Sequence, residues 1–305
     1  MQPSAQGAGR LLQVILKRLA AALAVSLLSL GASCGIKEKG GNNSNANKSS
    51  KNQRGATDQK FTASLPPALV LPDEGDEVGR RVLKDYGAMF VARGGVVPPP
   101  VIVFADEAAV REWQAGVRTT RAELGGINIE LQSAAMTALM EARTEAQAAK
   151  LEITPRGADA GKRTYEETVK LWRSRVGPGL NHWVGEGRLD KQEAARISSL
   201  SPREQIPEIL RLEDEGLYFS TDFKKSILYS VAAPGTSQHL SMLAFDVREH
   251  DNPSVRAILA RHGWFQTITS DAPHFTYLGV EEDQLADLGL KRVTNGGRAF
   301  WIPDL

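Results

Sequence analysis

The segment "SQHLSMLAFDVREHDNPSVRAILARHGWFQTITSDAPHFTYLG", Ser237 to Gly279, holds three side chains able to share one metal ion: His239, Asp246 seven residues on, and His274. Zinc takes imidazole nitrogen and carboxylate oxygen, and a catalytic zinc keeps three protein ligands with one position open to water. The chemistry open to such a set is metal-assisted hydrolysis. On spacing alone the signal is weak, because a histidine next to a strand is more often a satisfied core or surface residue than a ligand. The chain has only five histidines; the other three, His182, His250 and His262, read as surface or packing residues.

The elements that must bring these side chains together can be read around them. "SMLAFDV" suits a strand whose alternation sends Leu243 and Phe245 to one face and Ala244 and Asp246 to the other. A carboxylate ending an apolar strand is costly to bury unless a metal or partner receives it. His239 lies just before this strand, after the turn "PGTSQ", and His274 opens a later one, "HFTYLG". The helix "PSVRAILARHG", begun after Asn252 by a proline and stopped by Gly263, is the connection that lets the two strands meet.

Further upstream, "EVGRRVLKDYGAMFVA" has helical spacing, and "VVPPPVIVF" gives a proline stop followed by a run suited to a strand. "DEAAVREWQAGV" predicts a helix capped by Asp106. "IELQSAAMTALMEARTEAQAAK" is the most helical stretch, and it leads into a β-type tail, "LEITP". "TYEETVKLWRSRV" resumes helical spacing; residues 190–215 read as two short helices, the second started by Ser201 and Pro202. "GLYFST", "SILYSVAA" and "WFQTIT" read as strands, and "KRVTNGGRAFWI" as a hairpin about Asn295-Gly296. Helices first and strands later point to an α+β fold rather than alternating βαβ units.

Three blocks carry a family resemblance. "SQHLSMLAFD" resembles the S-x-H-x-x-G-x-A-x-D motif of the VanY-type zinc D-alanyl-D-alanine carboxypeptidases, and "DAPHFTYLG" resembles their closing E-x-W-H-F-x-Y-x-G. "LEITPRGADAGKRTYEETVKLW" is similar to the family's strand, S-G-Y-R-S loop and following helix, and the order of the blocks agrees, over roughly residues 133 to 280. The resemblance implies a small antiparallel sheet carrying a zinc site, flanked by helices, of the hedgehog/DD-peptidase-like kind. It implies that His239, Asp246 and His274 bind one zinc ion and that Ser237 helps orient the first ligand. It places Arg163 on an anionic part of the substrate, with Arg156 as a second candidate, and Asp271 where the family has its catalytic glutamate. Met242 stands at the motif's glycine and Pro273 at its tryptophan. The implied reaction is hydrolysis of the terminal D-alanyl-D-alanine, or a related bond, of peptidoglycan stem peptides. The alternative is a cell-wall-binding lipoprotein that keeps the zinc pocket without turnover.

The N-terminus agrees with such a substrate. Arg10, Lys17 and Arg18 precede the apolar run "LAAALAVSLLSL", and "GASC" follows, as in a signal peptide. "LGASC" resembles a lipobox, which makes Cys34, the only cysteine, the expected lipidation site and membrane anchor; cleavage after Ser33 would instead release a soluble exported protein. Residues 35–64, rich in Asn, Ser, Gly and Lys, are expected to form a disordered tether. A helical part, 65–130, then precedes the peptidase-like domain, 131–305. With 37 Lys+Arg against 36 Asp+Glu, no charge excess argues for nucleic acid. There is no S-x-x-K or K-T-G for a serine-type peptidase, and no H-E-x-x-H.

Overall fold

The computed structural model describes residues 60–305. The signal-like run, Cys34 and the tether as far as residue 59 lie outside the described residues. Residues 60–64 are already helical and Phe61 is fully buried, so the packed chain includes the last part of the stretch read as tether. Among the described residues no helix is long and apolar enough to cross a membrane.

Helices begin where side chains satisfy their free N–H groups. Asp76 caps α1 (Glu77–Tyr86), and Asp106 caps α2 (Glu107–Ala115) by accepting from Ala109 N. A strand hairpin follows, β1 (Thr119–Leu124) and β2 (Ile127–Gln132), turning at Gly125-Gly126 with φ of 57° and 79°. Two consecutive residues with positive φ are what a tight two-residue hairpin turn requires. The helix read from Ile129 onward therefore starts only at Ser133, as α3 (Ser133–Ala148). The residues before it alternate as a strand, with Ile129 and Leu131 buried in the core.

Thr164 forms a capping box with Glu167 at the start of α4 (Tyr165–Gly185). This helix runs past Pro178, nine residues beyond the end expected at Val176. Its far half is kept in place by packing: a β-carbon at Gly179 would lie 2.3 Å from the ring of Phe219, so only glycine admits that contact. Next come α5 (Lys191–Ser199) and α6 (Pro202–Asp214), the latter with the expected Ser201 cap and first-turn proline.

Three strand-like runs are not strands. "VVPPPVIVF" is irregular, tied by Val97 to the Gln132 amide and by Phe104 N to Gly235 O. "GLYFST" and "SILYSVAA" find no ladder either, because the buried Glu213 carboxylate accepts from Phe219 N (3.2 Å) and Ile227 N (2.6 Å). A buried acceptor thus replaces sheet partners for those amides. Burial pushes the Glu213 carboxyl up from its ordinary value.

The sheet that matters is small and antiparallel, in the order β3 (Ala244–Asp246), β5 (His274–Tyr277), β4 (Trp264–Phe265), with α7 (Pro253–Arg261) in the connection. All its residues are buried. Phe245 pairs with Phe275 on the core face, where Phe245 also meets Trp264 edge-on at 6.3 Å. Asp246 pairs directly with His274 on the opposite face, as strand alternation requires. The chain ends in the expected hairpin, β6 (Leu290–Asn295) and β7 (Arg298–Pro303). Helices and small antiparallel sheets pack on one large hydrophobic core, with a smaller cluster of Phe104, Val110, Tyr165, Val169 and Leu240 beside it, an α+β architecture.

Candidate metal centre

His239 sits in a short 3-10 turn, Gln238–Ser241, whose start is capped by Ser237: its hydroxyl accepts from His239 N at 3.4 Å. Ser237 therefore fixes the backbone of His239, while the imidazole is oriented by another group. That group is the Gly161 carbonyl, 2.7 Å from His239 Nδ1. A carbonyl only accepts, so Nδ1 carries the proton and Nε2 presents its lone pair. The lone pair faces Asp246 Oδ1 at 3.3 Å.

Val247 N bonds Pro273 O and Tyr277 N bonds Leu243 O, which makes Asp246 and His274 a non-hydrogen-bonded cross-strand pair. Side chains stand closest in such pairs. The protonation of His274 is set by Gln238, whose amide orientation is itself determined. Gln238 Nε2 donates to the Tyr86 carbonyl at 2.9 Å, so Oε1 is the acceptor. It accepts from Thr276 Oγ1 at 2.5 Å and from His274 Nε2 at 2.9 Å. Thr267 Oγ1, within reach of Gln238 Nε2 (3.4 Å) and of Thr276 Oγ1 (2.6 Å), closes the ring. With its proton on Nε2, His274 turns the Nδ1 lone pair to Asp246 Oδ1 at 3.2 Å.

Two imidazole lone pairs and a carboxylate thus converge with no proton between them. The three residues are only 2%, 2% and 9% exposed (His239, His274, Asp246), so water does not relieve the repulsion. Burial pushes His239 below its ordinary value, favouring the neutral ring, although Asp246 opposes this. Burial alone would raise Asp246; His239 and His274 hold the carboxyl well below the usual carboxylate range in the state where their rings carry the facing proton, and with both rings neutral Arg163, at 3.0 Å, is its counter-charge.

The donor set fits zinc. One ligand atom from each residue lies within 4.8 Å of the others. In a tetrahedral zinc site with bonds of about 2.05 Å, neighbouring ligand atoms stand roughly 3.3 Å apart. The two imidazole–carboxylate separations here are 3.3 and 3.2 Å. Three protein ligands, each oriented by a second hydrogen bond, leave a fourth position for solvent or substrate.

Arg163 lies against this centre. Its Nη2 meets Asp246 Oδ2 at 3.0 Å and Asp159 Oδ2 at 3.1 Å, and its Nε donates to Asp159 O. The residue read as a substrate contact is therefore already joined to a candidate ligand. A cavity of about 510 Å³ opens beside the triad. Asp271 and Ser237 line it; Asp271 lies in the turn before β5, and its carboxylate makes no hydrogen bond or ion pair among the described residues. Arg156 lies exposed at the same cavity.

Met242, at the motif's glycine, explains what that glycine is for. It has φ 57° and ψ 26°, the left-handed conformation that favours glycine, and its side chain is fully buried. The feature is the sharp exit from the 3-10 turn into β3. Pro273 is buried at the other end of β3, where it lends its carbonyl to Val247. Gln238, Thr267, Thr276 and Gly161 were missed in the sequence. Gln238 and Thr276 fall at variable positions of the motifs, and Gly161 acts through its backbone; for Thr276 alone, alternation with His274 was an available signal.

No protein-family model and no curated protein matches the chain. Among solved structures, a zinc-bound point mutant of the vancomycin-resistance D,D-pentapeptidase VanY from a VanB-type cassette is similar at 17% identity. The similarity covers 53% of this chain and 79% of that one, with a TM-score of 0.30. At that score the site stands on its own side chains: a buried, proton-free His-Asp-His cluster fit to hold a metal ion.

Proposed function

We propose that the chain is an exported zinc-dependent peptidase that hydrolyses the terminal D-alanyl-D-alanine, or a related bond, of peptidoglycan stem peptides. The observation that carries this reading is the convergence of His239 Nε2, His274 Nδ1 and Asp246 on one donor-free point. The three VanY-like motif blocks supply the substrate class, and the signal-like N-terminus with Cys34 supplies the location, anchored in a bacterial membrane by a lipid.

When bound, the ion supplies Lewis acidity to the scissile carbonyl and to the attacking water. The chain's own groups do the rest. Asp271 takes a proton from the attacking water and returns it to the leaving nitrogen as the C–N bond breaks. Arg163 holds Asp246 ionised and in place, and Ser237 fixes the backbone of His239. The products are a shortened peptide and free D-alanine.

One observation favours a second reading, a wall-binding protein without turnover: Asp271 is a methylene shorter than the family's glutamate and has no polar partner among the described residues to aim it. Incubation with pentapeptide stems decides between them. Release of D-alanine that stops on chelation and returns with zinc supports the peptidase. Asp271→Asn should lower kcat by about 10²- to 10⁴-fold with zinc content unchanged. No release at any zinc level refutes the peptidase; release that survives Asp271→Asn refutes the role of Asp271.

A further inference from the structure

Three arginines and three aspartates line the cavity beside the triad: Arg156, Arg163 and Arg175 against Asp159, Asp246 and Asp271. The walls are balanced by themselves, so a divalent ion at the triad tips the cavity positive, and an anionic ligand is favoured. The arginines are not equivalent. Arg163 is engaged by Asp246 and Asp159. Arg156 is exposed and its side chain makes no polar contact among the described residues, so water screens whatever it binds.

Arg175 differs from both. It stands on the same stripe of α4 as Thr168 and Leu171, which also line the cavity at the helical spacing. Its Nε donates to Ser230 Oγ at 2.8 Å, across to the wall opposite α4, and its Nη1 donates to Ser174 Oγ at 2.9 Å. Ser230 is held in turn by Thr221 at 3.3 Å. The guanidinium is half-buried and fixed by two neutral hydroxyls, no acid pairs with it, and its Nη2 has no protein partner among the described residues. A planar cation held in place with free donors and no counter-charge is built to receive a carboxylate.

We propose that Arg175 is the specificity-determining residue that recognises a carboxylate of the peptide substrate. The inference rests on the peptidase reading for the identity of the ligand, while the recognition itself needs no turnover. The carboxylate is either the C-terminal one or that of an acidic residue within the stem.

The test is calorimetric binding of a pentapeptide stem to the full chain, both chelator-treated and zinc-loaded. The peptide is used as the free acid, amidated at its C-terminus alone, and amidated at its acidic residue alone. In the wild-type chain, one of the two amidations weakens binding about tenfold or more, and which one identifies the carboxylate. In Arg175→Gln that amidation costs nothing further; in Arg175→Lys, which keeps the charge, part of the preference returns. Matched melting curves and zinc contents separate this from misfolding. The proposal is overturned if neither amidation matters in wild type, or if the preference survives intact in Arg175→Gln. Loss of the preference in Arg163→Gln or Arg156→Gln, with Arg175→Gln unaffected, overturns it too. Absence of hydrolysis in the zinc-loaded chain, with the carboxylate preference intact, would sink the peptidase reading and leave Arg175 standing.

Discussion

Replacing Gln238 by methionine tests the hydrogen-bond ring that sets the protons of the metal centre. The amide donates to Tyr86 O and accepts from His274 Nε2 and Thr276 Oγ1, with a longer contact to Thr267. Methionine fills similar volume and makes none of these bonds. At about 1 kcal/mol net per bond, and more where a buried partner is stranded, the loss is roughly 3 to 5 kcal/mol. For a domain of this size each kcal/mol moves the melting temperature by about 2 to 4 °C, so a fall of roughly 6 to 20 °C is expected. Freed from its acceptor, His274 no longer keeps its proton on Nε2, and zinc affinity should fall about 10- to 100-fold, or about 1.4 to 2.7 kcal/mol. Competition with a chelating dye and thermal melts of chelated protein measure the two effects separately. Thr276→Val is the control: it removes one hydroxyl and keeps the imidazole–amide contact, so it should cost about 1 kcal/mol and change zinc affinity less than about threefold. A Gln238→Met variant that binds zinc like wild type would refute the assignment of tautomers on which the centre depends.

Two more outcomes follow from the same residues. Met242→Gly relieves a left-handed backbone by about 1 kcal/mol but empties a fully buried site worth about 2 to 5 kcal/mol, so it should destabilise the protein by roughly 1 to 4 kcal/mol in denaturant titration; a gain in stability would refute the packing of Met242. In chelated protein His239 and Asp246 both titrate below their ordinary values, so each contributes stability above the unfolded value that is lost as pH falls. The His239 part begins to fade below its ordinary 6.5, and the Asp246 part only below 3.8. His239→Gln should flatten the first limb of a stability-against-pH curve; an unchanged first limb would show that His239 is not buried neutral.

Two of the three candidate ligands were legible because they are side chains at strand positions whose alternation is a sequence property; His239, on the 3-10 turn before β3, was legible only through its motif. His274 and Asp246 fall on the polar face of β3 and β5 by that rule, and Asn252-Pro253 and Gly263 bracket the helix between them. The terminal hairpin was legible for the same kind of reason, from Asn295-Gly296 between alternating runs. The first hairpin was overlooked because its second strand runs straight into an Ala-rich helix at Ser133, which masks the alternation of Ile127, Ile129 and Leu131. "GLYFST" and "SILYSVAA" have the composition of strands, but strand composition becomes a strand only where a partner ladder exists, and Glu213 takes that place. The engagement of Arg163 by Asp246 is a contact between residues 83 apart, which no local pattern records.

Gly161 gives the centre a dependence that its ligand motifs do not reveal. A β-carbon there would fall 2.9 Å from Ile129 Cγ2 and 3.3 Å from Glu130 O, and Lys162 is sewn to Glu130 by both backbone and ammonium. The carbonyl that dictates which nitrogen of His239 is bare is thus stationed by the first hairpin, more than a hundred positions before that histidine in the chain. Even one methyl group added at Gly161 would lever that oxygen away, so the proton on a distant imidazole answers to the seating of a ribbon that never touches the ion.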